Sequence, residues 1–194
     1  MKKYSKREIF SIPNCMSYLR LVLIPVFCYL YLTAETDLQF LWAGLVVLVS
    51  SLTDMLDGWV ARTFHQITDL GKVLDPVADK LTHAALAVCL AMRHPLMWAL
   101  IALMIVKEGY MGLMGLKLIR RGEMLDGAMW FGKVCTALLF VGLLILFLFP
   151  RMPAGAANTM IAVMMAVMAF TLCKYVAMFR RIEQGTSREG VKKL

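Results

Sequence analysis

Six apolar stretches, each near the length of a membrane-crossing helix, alternate with short polar or basic connections. They cover about residues 15–32, 38–62, 70–92, 96–119, 128–149 and 157–179. A helix crossing the hydrocarbon layer needs about 20 mostly apolar residues, and each stretch supplies them. The connections at 33–37, 93–95 and 150–156 are too short to hold a separate module, and no repeat or low-complexity tract interrupts the pattern. The pattern therefore predicts an all-α polytopic membrane protein, one domain over 1–194 with six transmembrane helices. Ahead of the first span, residues 4–11 place Tyr4, Ile9 and Phe10 on one side and Lys6, Arg7 and Glu8 on the other. That arrangement predicts a short interfacial helix, the alternative being a basic segment without fixed structure. Ile12, Pro13 and Asn14 are expected to break the chain before the span begins.

Composition sharpens this picture. Of 194 residues, 60% are hydrophobic and 18% charged, more apolar surface than a soluble domain of this size can hide. No small-residue cleavage site follows the first apolar run, so that span is expected to be retained. The five cysteines (Cys15, Cys28, Cys89, Cys135, Cys173) are scattered without C-x-x-C spacing. This argues for small buried hydrophobes rather than a disulfide framework or a zinc site.

The net charge of +8 suggests nucleic acid only until its distribution is read. Sixteen of the 21 lysines and arginines fall at the N-terminus, around the second-to-third and fourth-to-fifth connections, and at the C-terminus; only Arg93 and Arg151 fall on the other side. Positive residues stay on the cytoplasmic face. Both termini are thus expected in the cytoplasm, in a cell (inner) membrane, with anionic lipid rather than nucleic acid as the partner of the basic ends. Gly109, Gly112 and Gly115 recur every three residues in the fourth span, a spacing that permits close helix approach within the bundle or across a dimer seam.

The candidate chemistry lies in SSLTDMLDGWVARTFHQITDLGKVLDPVADK, where Asp54, Asp57, Asp75 and Asp79 sit in or beside apolar helices. One such carboxylate costs roughly 2.5–3.5 kcal/mol even on lenient insertion scales, so four require compensation. A divalent cation, or two, held by hard oxygen ligands provides it. Asp54 and Asp57 are three apart, and Asp75 and Asp79 four apart, so each pair shares a helix face. Gly58, Ala61 and Gly71 put small residues beside them. Spans two and three are antiparallel neighbours joined by a short turn, so the carboxylates can converge near the cytoplasmic headgroup level. Two divalent ions there would nearly balance four carboxylates and a diphosphate, an arrangement suited to in-line displacement at phosphorus. Bland readings exist for single residues. Asp75 before Pro76 looks like a helix N-cap, Asp54 fits an interhelical polar contact, Asp69 fits a turn, and His65 fits a loop.

The residues read Asp54-x2-Asp57-Gly58-x2-Ala61-Arg62-x8-Gly71-x3-Asp75-x3-Asp79. At every fixed position this resembles the signature of the CDP-alcohol phosphotransferase family, whose members also have six spans with the motif across the second and third. The resemblance implies transfer of a phosphatidyl or similar group from a CDP-linked donor to an alcohol, with release of CMP. It implies that Asp54, Asp57 and Asp75 bind metal, and that Asp79 binds the second ion and acts as general base. It implies a donor site from Asp57, Gly58, Ala61, Arg62 and Gly71, two Mg2+ or Mn2+ ions, and a homodimer.

Residues 12–20, IPNCMSYLR, followed by Leu23-Ile24-Pro25, and residues 74–80, LDPVADK, resemble the bacterial phosphatidylglycerophosphate synthase branch. That branch joins CDP-diacylglycerol to glycerol 3-phosphate. Cardiolipin synthases of the same fold share both segments and are the alternative. Lys107-Glu108 stands where the branch has Arg-Glu, and Cys135 replaces the second lysine of its Gly-Lys-x-Lys-Thr. Cations for an acceptor phosphate are sought in Lys107, Lys133, Lys174 and Arg20, with Arg180 a further candidate; for Arg20, pairing with a carboxylate is the competing role. A divalent-cation transporter would also place carboxylates in membrane helices. It would require polar residues reaching the far side, whereas residues 40–49 and 84–90 are apolar.

Overall fold

The computed structural model describes residues 11–63, 68, 70–120, 123–125, 129–183 and 191–193, with side chains for all of these except 55, 57–62, 72, 123–125, 183 and 191–193. Six long helices follow one another: α1 (Ile12–Leu32), α2 (Asp37–Thr63), α3 (Gly71–Ala91), α4 (Met97–Arg120), α5 (Trp130–Leu148) and α6 (Ala154–Glu183). The all-helical class expected from the apolar pattern is what the chain adopts, and the chain is a multi-pass membrane protein. Five of the helices are long and apolar enough to cross a membrane. The sixth, α3, has the same 21-residue length as α1, with Lys72, Asp75, Asp79 and Lys80 concentrated in its first half. The interfacial helix expected over 4–11 falls, but for Ser11, outside the described residues.

Two details differ from the sequence reading, and a third decides between its alternatives. Helix α1 does not wait for residue 15 but starts at Ile12 with Pro13 in its first turn. A first-turn N–H has no helical acceptor, so proline is tolerated there. Helix α3 starts at Gly71 and carries Pro76 in its interior, so Asp75 is not an N-cap. The helix start is set instead by Thr68, whose Oγ1 accepts the Gly71 N–H at 2.9 Å. Finally, two three-residue strands, β1 (Glu123–Leu125) and β2 (Val191–Lys193), pair antiparallel, with Glu123 opposite Lys193 and Leu125 opposite Val191.

The chain divides into two compact units. One holds the residues up to Arg93 together with Leu143–Arg151. There α1 packs against both α2 and α3. At the C-terminal end of α1 the contact is aromatic. Tyr31 stacks on Phe147 with ring centres 4.1 Å apart and meets Phe40 edge-on at 5.3 Å. The Arg93 guanidinium lies 4.4 Å above the Phe40 ring, and Arg151 Nε meets Asp37 Oδ1 at 2.8 Å. One turn back, Cys28 on α1 and Cys89 on α3 face each other. This end fixes the three helices against each other. From Tyr31 to Arg20 is eleven residues, about 16 Å along the helix at 1.5 Å per residue, and the polar site lies there.

The other unit comprises His94–Gly142 and Met152–Leu194. In it α4 packs on α6 around buried Leu118, Tyr175, Phe179 and Ile182. Tyr110 meets Phe179 edge-on at 5.9 Å, and Phe131 lies 4.8 Å from Tyr175. Among the described residues, nothing packs against the glycine stripe of α4. A Cβ at Gly109, Gly112 or Gly115 meets nothing within 4 Å.

Candidate active site

The first unit gathers polar side chains from three helices at the N-terminal end of α1, an arrangement apolar helices tolerate only when the groups satisfy one another. Helix α1 presents Asn14, Ser17 and Arg20, one every three residues and all buried. Helix α2 presents Asp54, and α3 presents Asp75 and Asp79. Arg20 joins the two acidic helices: Nη2 lies 2.5 Å from Asp54 Oδ1, and Nη1 lies 2.9 Å from Asp79 Oδ1. The planar guanidinium, with donors in a fixed fork, suits a bridge between two carboxylates better than an ammonium does. Ser17 donates from Oγ to Asp75 Oδ1 at 2.5 Å, with the Pro13 carbonyl 3.2 Å away on its own helix. Asn14 accepts at Oδ1 a hydrogen bond from the Thr68 hydroxyl, 3.1 Å, and that same Thr68 oxygen caps α3.

Burial gives the cluster a direction. Arg20 is 1% exposed, whereas the Asp54 and Asp79 side chains are 42% and 47% exposed. The cation therefore approaches from inside the helix packing, and the carboxylates keep an accessible side. Asp54 and Asp79 are held beside each other by this shared guanidinium. Gly71 sits against α1: a Cβ there would lie 2.8 Å from Asn14 Oδ1 and 3.0 Å from Thr68 Oγ1.

Of the residues singled out in the sequence, Asp54, Asp75, Asp79, Gly71 and Arg20 are thus brought to one face of α1. Asp57, Gly58, Ala61 and Arg62 belong to α2, but their side chains lie outside the described residues, as do Asp69 and His65 entirely. Lys107, Lys133 and Lys174 belong to the second unit. Lys107 is buried with Nζ 2.9 Å from Glu108 Oε1, Lys174 Nζ lies 5.4 Å from the Phe170 ring centre, and Lys133 is exposed in the first turn of α5. Between the two roles open for Arg20, carboxylate pairing is the one the geometry displays. Asn14 and Ser17 join the site without standing out in the sequence beyond the resemblance of residues 12–20. Their signal was available, since polar residues at 14, 17 and 20 fall along one side of an otherwise apolar helix.

The donor set tests whether a divalent ion suits this place. It consists of carboxylate oxygens on two helices that both pack against α1, the hard ligands that Mg2+ and Mn2+ take. Among the described residues no three His, Cys, Asp or Glu side chains are grouped closely enough to hold an ion. Arg20 already draws two of the carboxylates together, and Asp57 is not among the side chains described. In donor chemistry the residues fit.

A multi-pass helical membrane protein with oxygen donors clustered at one end of two helices is the class that fold and site define. The family model for CDP-alcohol phosphatidyltransferases matches residues 10–174, and the chain belongs to that family. It is similar to a protein of Pseudomonas fluorescens named CDP-diacylglycerol–glycerol-3-phosphate 3-phosphatidyltransferase, 40% identical over 88 residues, 45% of each chain. A protein of the same name from Escherichia coli K12 is 33% identical over 137 residues, 69% of this chain and 75% of the relative. A cardiolipin synthase (CMP-forming) of Streptomyces coelicolor is 34% identical over 131 residues, 66% of this chain and 61% of the relative. The chain thus spans less than two thirds of the Pseudomonas and Streptomyces relatives it matches.

Proposed function

We propose that this chain is an integral-membrane phosphatidyltransferase that moves the phosphatidyl group of CDP-diacylglycerol to the hydroxyl of glycerol 3-phosphate and releases CMP, in phospholipid biosynthesis. The observation that carries the reading is the meeting of Asp54, Asp75 and Asp79 along one face of α1, inside the segment that matches the family. In the transfer, the acceptor oxygen forms a bond to the phosphatidyl phosphorus as the bond from that phosphorus to the CMP oxygen breaks. The hydroxyl proton passes to the Asp79 carboxylate, and CMP leaves with the electron pair. An alcohol is a poor nucleophile until its proton is taken, and in this reading Asp79, half exposed and anchored by Arg20, takes it. Asp54, Asp57, Asp75 and Asp79 would hold two ions, Mg2+ or Mn2+, whose charge offsets that of the donor diphosphate. Gly58, Ala61, Arg62 and Gly71 line the donor side in this reading. The asymmetric distribution of Lys and Arg supports an inner-membrane orientation with site and termini in the cytoplasm. The open Gly109–Gly112–Gly115 stripe leaves a seam for a second copy in a homodimer.

Ser17 tests the role of α1 in this reaction. A hydrogen bond to a charged group contributes about 1.5–3 kcal/mol. Ser17→Ala, which removes the donor to Asp75, is expected to slow CMP release roughly tenfold or more while the protein still purifies as folded material. Unchanged turnover would show that Asp75 needs no help from α1.

The acceptor is tested directly. Purified chain with CDP-diacylglycerol and Mg2+ is offered glycerol 3-phosphate, phosphatidylglycerol, inositol or serine, and the lipid product is read by mass. Phosphatidylglycerophosphate is the expected product. Cardiolipin formation is the outcome of a second reading, supported by the Streptomyces relative's name and by Cys135, 2% exposed, where the branch carries a lysine. Magnesium flux into liposomes without CMP release would favour a transporter instead.

A further inference from the structure

We infer that Arg20 is a built-in counter-cation of the carboxylate cluster, a positioning residue that holds Asp54 and Asp79 together and sets how tightly a divalent cation binds there. The inference rests on the proposed function, in which these two carboxylates receive such an ion.

The argument begins with an electrostatic conflict. Asp54 on α2 and Asp79 on α3 bring their carboxyl groups to the two ends of one guanidinium, at one end of apolar helices. Like charges at that distance repel, and in a medium poorer than water the repulsion is several times its aqueous value. Without a cation the two helix ends would spread or the carboxylates would take up protons. Arg20 removes the conflict from behind. Its guanidinium reaches one oxygen of each carboxylate, at 2.5 and 2.9 Å, and is 1% exposed. A fully buried arginine is itself costly unless paired, so the three groups form a unit in which each makes the others tolerable. The cation comes from α1, whose Ser17, one turn earlier, holds Asp75. Helix α1 packs against both α2 and α3, so the guanidinium is carried on a rigid element rather than on a loop.

Two consequences follow for an incoming ion. The cluster stays assembled between catalytic cycles, when no substrate diphosphate helps to retain metal. And the ion meets a positive charge already bound to two of its ligands, which weakens its affinity. A cluster of bare carboxylates would grip the ion more firmly but would be unstable without it. Arg20 thus exchanges affinity for a preformed site.

The test is Mn2+ binding and thermal unfolding of the detergent-solubilised full chain, comparing wild type with Arg20→Met, which keeps the length and apolar bulk of the side chain. With EDTA, the Arg20→Met unfolding midpoint should fall by several degrees relative to wild type. With Mn2+ added it should recover, so that the Mn2+-induced rise is larger in the variant than in wild type, as linkage requires of tighter binding to the folded state. Bound Mn2+ followed by electron paramagnetic resonance should show a dissociation constant at least tenfold lower in Arg20→Met. Equal or weaker Mn2+ binding in the variant overturns the inference. So does a loss of CDP-diacylglycerol affinity with Mn2+ affinity unchanged, which would make Arg20 a phosphate ligand. Should Arg20→Met fail to fold, Arg20→Lys serves. It keeps a charge but cannot span both carboxylates in a fixed fork, and should bind Mn2+ two- to fivefold more tightly than wild type; no gain overturns the inference. Wild-type protein that binds no Mn2+ refutes the metal reading of the site and the inference with it. Wild-type binding with an unimproved Arg20 variant refutes only the role of Arg20.

Discussion

Asp79→Asn is expected to abolish transfer, with CMP release falling by three orders of magnitude or more while CDP-diacylglycerol still binds. A positioned general base contributes roughly 10²–10⁴-fold, and the amide can neither accept the acceptor's proton nor supply a charged ligand. The substitution is nearly isosteric, and Asn can still accept a hydrogen bond from Arg20 Nη1 through its amide oxygen, so the helix packing should survive. Donor binding, followed with a radiolabelled or fluorescent CDP-diacylglycerol, separates the chemical loss from misfolding. Retained turnover would remove Asp79 from the role of base and leave the proton to be taken by another group.

Gly71→Ala has the second largest expected effect, and its cause is steric. The new methyl would stand 2.8 Å from Asn14 Oδ1 and 3.0 Å from Thr68 Oγ1. Asn14 is fully buried, and Thr68 is the group that caps α3, so neither yields freely. Forcing atoms into a packed site costs about 1–3 kcal/mol. The displacement would pass to Asp75, whose Oδ2 lies 3.8 Å from the same point. A lower unfolding midpoint and at least a tenfold loss of CMP release are expected. Gly109→Ala is the matched control. There the added methyl meets open space, and alanine is the better helix former by about 1 kcal/mol, so stability should hold or rise. Equal behaviour of the two variants would contradict the close approach of α1 to α3 at Gly71.

The two variants also separate what the sequence disclosed from what it concealed. Hydrophobic runs near 20 residues announced all six helices, because a membrane leaves the backbone few alternatives to a helix. The aspartates announced the site because charge in an apolar run is costly and their three- and four-residue spacings fit a helix face. What failed to show was local or relational. Pro76 after Asp75 offered an alternative helix start; the helix begins at Gly71, as the apolar run from residue 70 predicts, but the Thr68 hydroxyl that caps it is a weak signal beside a proline. Pro13 read as a break, yet proline in a first turn gives up no helical hydrogen bond. The pairing of Glu123–Leu125 with Val191–Lys193 joins segments 66 residues apart, and three residues carry too little alternation to betray a strand. For Arg20, carboxylate and phosphate partners were equally compatible with the sequence, because partner choice depends on how α1 is rotated against α2 and α3. Asn14 and Ser17 stand on that same face, and the three-residue polar recurrence in an apolar helix was the clue to its direction.

The central claim is that the acidic residues at this end of α2 and α3 hold a divalent cation for a CDP-linked donor. Its most direct test is an electron paramagnetic resonance titration of the purified chain with Mn2+, with and without CDP-diacylglycerol. Bound Mn2+ whose affinity rises when the lipid is added, and which is lost in an Asp54→Asn/Asp79→Asn double variant, is the predicted result. Mn2+ binding unaltered by the double variant, or CMP release that proceeds undiminished in EDTA, would contradict it.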